Sequence, residues 1–242
     1  MKTVTRKTLV SSVIVVAMLW LLGSTTALAK MEWSITPVHE FTVPPGNIIK
    51  GGDMSEGIPD IVKFGYAWVD NHELDTVTFL TGNGSMLVWH YMNEQGRILF
   101  DVPVDGDKKY KFGFVVKTES LMPGTGRPAR YGMRWGIYLK DGQGAFLNVN
   151  SLKTKPVDYL NGLVPSGSVI RTPSEIDLGD GLKPLAGTHD WFHLELVLDL
   201  PALAADLTAG SGRITAVRLE QLLSESPIKI WVDCIYALPL EE

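Results

Sequence analysis

Apolar residues in this chain recur at every second position in short runs, and the runs are separated by clusters of Gly, Pro, Asn and Asp. Phe192, Leu194, Leu196 and Leu198 fall on one parity. Trp191, His193, Glu195, Val197 and Asp199 fall on the other. Phe112 and Phe114 likewise share a side of the run from Tyr110 to Val116. A period of two places alternate side chains on opposite faces of a strand, so these segments predict half-buried antiparallel sheet. Runs rich in Val, Ile, Phe, Tyr and Trp predict strands near 33–41, 75–81, 85–92, 97–103, 109–118, 131–140, 144–149, 191–200, 213–220 and 227–238. A single short helix is expected at Pro201–Leu207, too short to set the fold class. Many strands and no long helix predict an all-β protein, an antiparallel β-sandwich of the jelly-roll kind. Residues 150–190, with Pro156, Pro165, Pro173 and Pro184, are expected to form long loops.

The N-terminus has a different pattern. Lys2, Arg6 and Lys7 precede the apolar run Val13–Leu22, and a small-residue stretch ends in Ala27-Leu28-Ala29. This order reads as a signal peptide over residues 1–29. The apolar stretch from Leu9 to Gly23 is shorter than the ~20 residues a spanning helix needs. Cleavage is therefore preferred to retention as an anchor, and the expected location is secreted, extracellular or periplasmic. The expected organisation is a leader at 1–29, an N-terminal extension with the first strand at 30–46, and a jelly-roll domain at 47–242.

Composition narrows the class. The 242 residues are 45% hydrophobic and 20% charged, enough apolar content for a core. The formal net charge is −5, and removing the three basic residues of the leader takes it to −8. That balance argues against a general nucleic-acid binder. One cysteine excludes an intrachain disulfide and a cysteine-based zinc cluster. Cys234, within Ile230-Trp-Val-Asp-Cys-Ile235, is expected to be a buried small hydrophobe. Asn83-Gly-Ser85 fits a glycosylation sequon but reads better as a tight turn.

Several segments in order resemble a known family. Asn47-Ile-Ile-Lys-Gly-Gly-Asp-Met-Ser-Glu-Gly57 resembles the opening strand of a large group of bacterial carbohydrate-binding modules. Gly84-Ser-Met-Leu-Val88, Val102–Thr118, Trp191–Leu196 and Ile228–Ile235 resemble its later strands. The resemblance is to galactose-binding-like jelly-roll modules, of the type appended to bacterial cellulases and xylanases, and covers about residues 47 to 238. It implies a sandwich and a carbohydrate ligand, although one fold hosts many functions. It also implies a structural calcium, with the Gly52 carbonyl, a nearby carboxylate and Asp233 as ligands. Here Met54 replaces the aromatic residue, Ser55 stands at the carboxylate position, and Glu56 lies one residue on. Asp233 has a second reading, a strand-end carboxylate accepting hydrogen bonds from backbone N–H groups. No cofactor is otherwise required.

Carbohydrate binding needs aromatic platforms and planar polar groups on one face. Arg134 and Tyr138 share a parity with Gly136 between them. Trp191, His193 and Glu195 form the matching set on the late strand. These five are the candidate ligand residues, against the alternative that each is ordinary packing or a solvated face. Trp89, Trp135 and Trp231 are expected in the core. Residues 108–155 hold ten basic and two acidic groups, so an anionic polysaccharide is favoured if those strands share a face. No G-x-S-x-G, H-E-x-x-H or Cys–His arrangement is present. The leading expectation is a secreted, non-catalytic carbohydrate-binding protein, with no membrane association after cleavage. The alternatives are a structural or surface interaction protein on the same fold and, less favoured, a polysaccharide lyase or glycosidase.

Overall fold

A computed structural model describes residues 31–65, 71–90, 96–121, 133–144, 170–171, 175–176, 183–184, 187–205, 213–223 and 228–241. Two antiparallel sheets dominate them. The six-stranded sheet has the order β1 (Met31–Pro37), β11 (Gly187–Asp199), β6 (Lys109–Leu121), β13 (Ile228–Leu240), β4 (Ser85–His90) and β3 (His72–Asp75). The five-stranded sheet has the order β2 (Val62–Gly65), β5 (Gly96–Pro103), β12 (Ala216–Leu223), β7 (Met133–Lys140) and β8 (Ile170–Arg171). A small ladder joins β9 (Glu175–Ile176) and β10 (Lys183–Pro184), and one helix, α1 (Leu200–Ala205), follows β11.

The period-two pattern is what packs the two sheets together. Phe192, Leu194, Leu196 and Leu198 of β11 and Phe112, Phe114 and Val116 of β6 are buried in one apolar cluster. Ile98, Phe100 and Val102 of β5, Ile137 and Leu139 of β7, and Val217 and Leu219 of β12 meet them from the other sheet. Burial of these faces is the main term that holds a sandwich together. The all-β sandwich expected from the pattern is the observed fold.

Two details differ from the expected elements. The strand expected at 75–81 is confined to His72–Asp75, and Thr76–Leu80 follows as bends. Its alternation is broken because Asp75 Oδ1 accepts hydrogen bonds from the Val77 and Thr78 amides, turning the chain. The short strands β2 and β3 carry too few apolar residues to stand out in sequence. Apart from Gly144, the strand expected at 144–149 lies outside the described residues, as do most of the loops expected at 150–190.

The six-stranded sheet carries a second apolar layer on its outward side. Leu87, Val115, Trp191, Trp231 and Cys234 are buried there, under Val38, Phe41, Val43, Leu80 and Trp89. The segment after β1 thus crosses the outer face as a strap. Trp231 belongs to this outer layer rather than to the core between the sheets. The side chain of Trp135 lies outside the described residues.

Candidate functional site

The five residues expected to form one ligand face divide between the two sheets. Trp191, His193 and Glu195 stand on β11 in the six-stranded sheet, whereas Arg134 and Tyr138 stand on β7 in the five-stranded sheet. The two strands turn their polar parities outward on opposite sides of the sandwich, so one site cannot hold all five. Parity within a strand predicts faces, but only strand order decides which faces coincide.

The β11 group is covered. Trp191 is 8% exposed and lies within the outer apolar layer. His193 Nε2 is 2.9 Å from the Tyr236 hydroxyl, which donates to Glu195 Oε2 at 2.9 Å. Because that hydroxyl proton goes to Glu195, the imidazole supplies Nε2–H to the Tyr236 oxygen. Lys111 Nζ is 3.1 Å from Glu195 Oε1 and completes the chain of contacts. Phe41 of the strap packs over the pair, with ring centroids 4.7 Å from His193 and 6.0 Å from Tyr236. Burial pushes the His193 imidazole below its ordinary 6.5, against the Glu195 carboxylate, which pulls it up. Burial also raises the Tyr236 phenol, and the hydrogen bond to Glu195 adds to that. The ring fits because Gly113 opposes Tyr236 in the register, and a Cβ at 113 would lie 2.1 Å from Tyr236 Cζ. This network fastens the strap to the sheet and offers no open platform.

The lysines of β6 are absorbed on the same face. Lys109 pairs with Asp199 at 3.0 Å, and Lys117 with Asp190 at 2.8 Å. The basic segment 108–155 therefore does not make one cationic face. Its β6 lysines meet acids of β11, and its β7 residues belong to the other sheet.

The residues suggested for calcium lie where the opening loop meets β13. Gly52 O accepts from the Ile235 amide at 2.7 Å, and a Cβ at 52 would lie 2.0 Å from Ile235 O. Asp233 is fully buried. Its Oδ2 accepts from the Leu80 and Thr81 amides at 2.8 and 3.1 Å, and its Oδ1 from the Cys234 amide at 2.7 Å. Burial raises its pKa, and those amide hydrogen bonds hold it down. Ser55 turns back on Asp53, its Oγ donating to Oδ1 at 2.8 Å, and Glu56 is exposed. Calcium needs six to eight oxygen ligands. Here the Asp233 and Gly52 oxygens are engaged by amides, which does not fit a calcium site. Asn47 closes the same junction. Its Nδ2 donates to the Ile49 and Ile235 carbonyls, and its Oδ1 accepts from the Ile49 and Ala237 amides. Nothing in composition or parity marks Asn47, because two of its four contacts, to Ile235 and Ala237, belong to a junction formed only in the fold.

The outward face of the five-stranded sheet is built differently. Register places Asp101, Arg218 and Tyr138 in one row across β5, β12 and β7. Arg218 Nε and Nη2 donate to the two Asp101 oxygens at 2.6 and 2.7 Å, and Lys140 Nζ reaches Asp101 Oδ2 at 3.1 Å. The Lys140, Asp101 and Arg218 side chains are only 12%, 23% and 22% exposed. The Arg218 guanidinium holds the Asp101 carboxyl below the usual range, helped by Lys140. This is a half-shielded polar cluster in the same row as Tyr138. Among these groups sequence reasoning named only Tyr138. Lys140 shares its parity, whereas Asp101 and Arg218 come from distant segments.

No family model matches the chain, and no curated protein matches it. Solved structures similar to it are mainly carbohydrate-binding modules with β-sandwich folds. A family 61 module in complex with β-1,4-galactotriose is 10% identical, with TM-score 0.45, over 80% of this chain and 99% of that one. A family 22 xylan-binding domain from Paenibacillus barcinonensis is 10% identical, with TM-score 0.44, over 79% and 93%. The enzymatically active domain of a bacteriophage CBA120 tailspike protein is 10% identical, with TM-score 0.49, over 81% of this chain; this chain spans 22% of its length.

Proposed function

We propose that this is an exported, non-catalytic carbohydrate-binding protein whose ligand lies on the outward face of the five-stranded sheet. The observation that carries the reading is the row Asp101–Arg218–Tyr138 with Lys140 beside it. Sugar hydroxyls need fixed donors and acceptors, and a pyranose ring needs a flat apolar partner. The guanidinium, carboxylate and phenol supply these from rigid strands, held in place by their own contacts, so little ordering is lost on binding. Partial shielding from water strengthens each hydrogen bond to a ligand. The resemblance of the ordered strands to carbohydrate-binding modules supports the same class. No metal is needed at the opening-loop junction in this reading, and no bond is made or broken.

The test is binding of residues 30–242 to a polysaccharide panel by affinity electrophoresis, with Tyr138→Ala alongside the native chain. Retardation by at least one polymer, weakened about tenfold or more by Tyr138→Ala without a fall in melting temperature, is expected. No retardation by any polymer, from a folded protein, refutes the proposal. Release of reducing ends or unsaturated products would move the protein to the enzyme class.

A further inference from the structure

Tyr236, on the outward side of the six-stranded sheet, has the setting of a stacking platform. A Cβ built at Gly113 would lie 2.1, 2.2 and 2.4 Å from its Cζ, Cε1 and hydroxyl oxygen, so the ring rests on bare β6 backbone. Phe41 of the strap stacks on it, with the rings 15° from parallel and their centroids 6.0 Å apart. Polar groups border the ring at its hydroxyl end. His193 Nε2–H donates to the hydroxyl oxygen, the hydroxyl donates to Glu195, and Lys111 pairs with Glu195. The Lys111 and Glu195 side chains are partly exposed. A flat ring edged by a carboxylate, an ammonium and an imidazole has what a pyranose needs: a partner for its apolar face, and donors and acceptors for its hydroxyls.

The cover over this ring is fixed mainly at its ends. On one side Val38 N donates to Trp191 O at 2.9 Å; on the other Asn47 holds the junction with β13. Between them, residues 39–46 make no hydrogen bond with another described residue. Phe41 and Val43, each half-buried, hold the segment to the outer apolar layer. The His193–Tyr236–Glu195–Lys111 chain beneath is complete without the strap. Lifting 39–46 therefore leaves none of these polar groups unpaired and gives up apolar contact instead, which places the strap among the segments that open most readily.

We infer that Tyr236 is the platform of a second carbohydrate site, closed by the strap, in which the Phe41 ring occupies the place of a sugar ring. Glu195, Lys111 and His193 orient the sugar hydroxyls. The site is on the opposite side of the sandwich from Tyr138 and stands without the row proposed there. A closed strap lowers the apparent affinity by the fraction of molecules that are open, and removing the Phe41 ring returns that factor. The test uses the full chain carrying Tyr138→Ala, which disables the other face, with and without Phe41→Ala. Affinity electrophoresis is run in xylan, mixed-linkage β-glucan, galactan, dextran and polygalacturonate, and melting curves establish that each variant is folded. Removing Phe41 is expected to raise the affinity for at least one polymer about tenfold or more. Adding Glu195→Gln or Tyr236→Leu abolishes most of that gain. Phe41→Leu, which keeps apolar cover without the flat ring, gives a smaller gain of about threefold and reads the same point if Phe41→Ala does not fold. No gain on any polymer from the folded Phe41 variants overturns the inference. So does a gain that is equal on all five polymers and survives both Glu195→Gln and Tyr236→Leu, the mark of an exposed apolar face. Loss or retention of native binding in Tyr138→Ala alone bears on the Tyr138 row, so the two readings fail separately.

Discussion

Adding one methyl group at Gly113 tests how the outer face of the six-stranded sheet is held. The Cβ of Gly113→Ala would sit 2.1 Å from Tyr236 Cζ and 2.4 Å from its hydroxyl oxygen. Gly113 is in the middle of β6, between β11 and β13, so its backbone has little room to retreat. Tyr236 must move, and it is 1% exposed and bonded to both His193 and Glu195. Overpacking of this kind costs about 1–3 kcal/mol. Two hydrogen bonds lost or distorted add about 1 kcal/mol each. The sum is about 3–5 kcal/mol, or roughly 10 °C in melting temperature for a chain of this size. The clash needs the ring. In a Tyr236→Ala background the added methyl meets open space, and alanine replaces glycine at no cost or with a gain of about 0.5 kcal/mol. The four proteins of the cycle are compared by urea unfolding, with sucrose present throughout to keep all of them folded. A coupling energy of about 3 kcal/mol is expected. If Gly113→Ala costs the same with and without the Tyr236 ring, the packing reasoning is refuted.

Four further outcomes follow. Burial holds the His193 pKa below its ordinary 6.5, so the unfolded chain binds that proton more tightly; the stabilising term is present above about pH 6.5 and is lost as pH falls toward the folded value. Urea midpoints should drop between pH 7.5 and pH 5 more steeply for the native chain than for His193→Gln, and parallel profiles would contradict this. Asn47→Ala removes four hydrogen bonds, two within the opening loop and two that join it to β13, and should cost about 2–4 kcal/mol. Chelator should leave the melting temperature of the native chain unchanged, and a rise of several degrees with added calcium would show that the junction binds metal after all. Trp191→Ala, in the outer apolar layer, should lower stability by about 3–5 kcal/mol while the remaining folded protein binds polysaccharide as before; lost binding with an unchanged melting temperature would restore it as a ligand residue.

The sequence by itself carries the local half of this protein. The alternation at Phe192–Asp199 and Phe112–Val116 predicts both the strands and the faces they bury, because side-chain direction in a strand depends only on position along it. The same holds for Ile137 and Leu139 against Tyr138 and Lys140. A buried Cys234 followed from its apolar surroundings, and the short helix after β11 from its composition. Tertiary structure decides what local pattern leaves open. Strand order separates β7 from β11, so Tyr138 and Trp191 lie on opposite sides of the sandwich although either strand alone presents a plausible face. The strap places Phe41 over His193 and turns an outward residue into a covered one. Asp101 and Arg218 are 117 residues apart, and their pairing depends on β12 lying between β5 and β7. A period of two fixes which way a side chain points; which groups it meets there depends on long-range register, and no short stretch of sequence contains that.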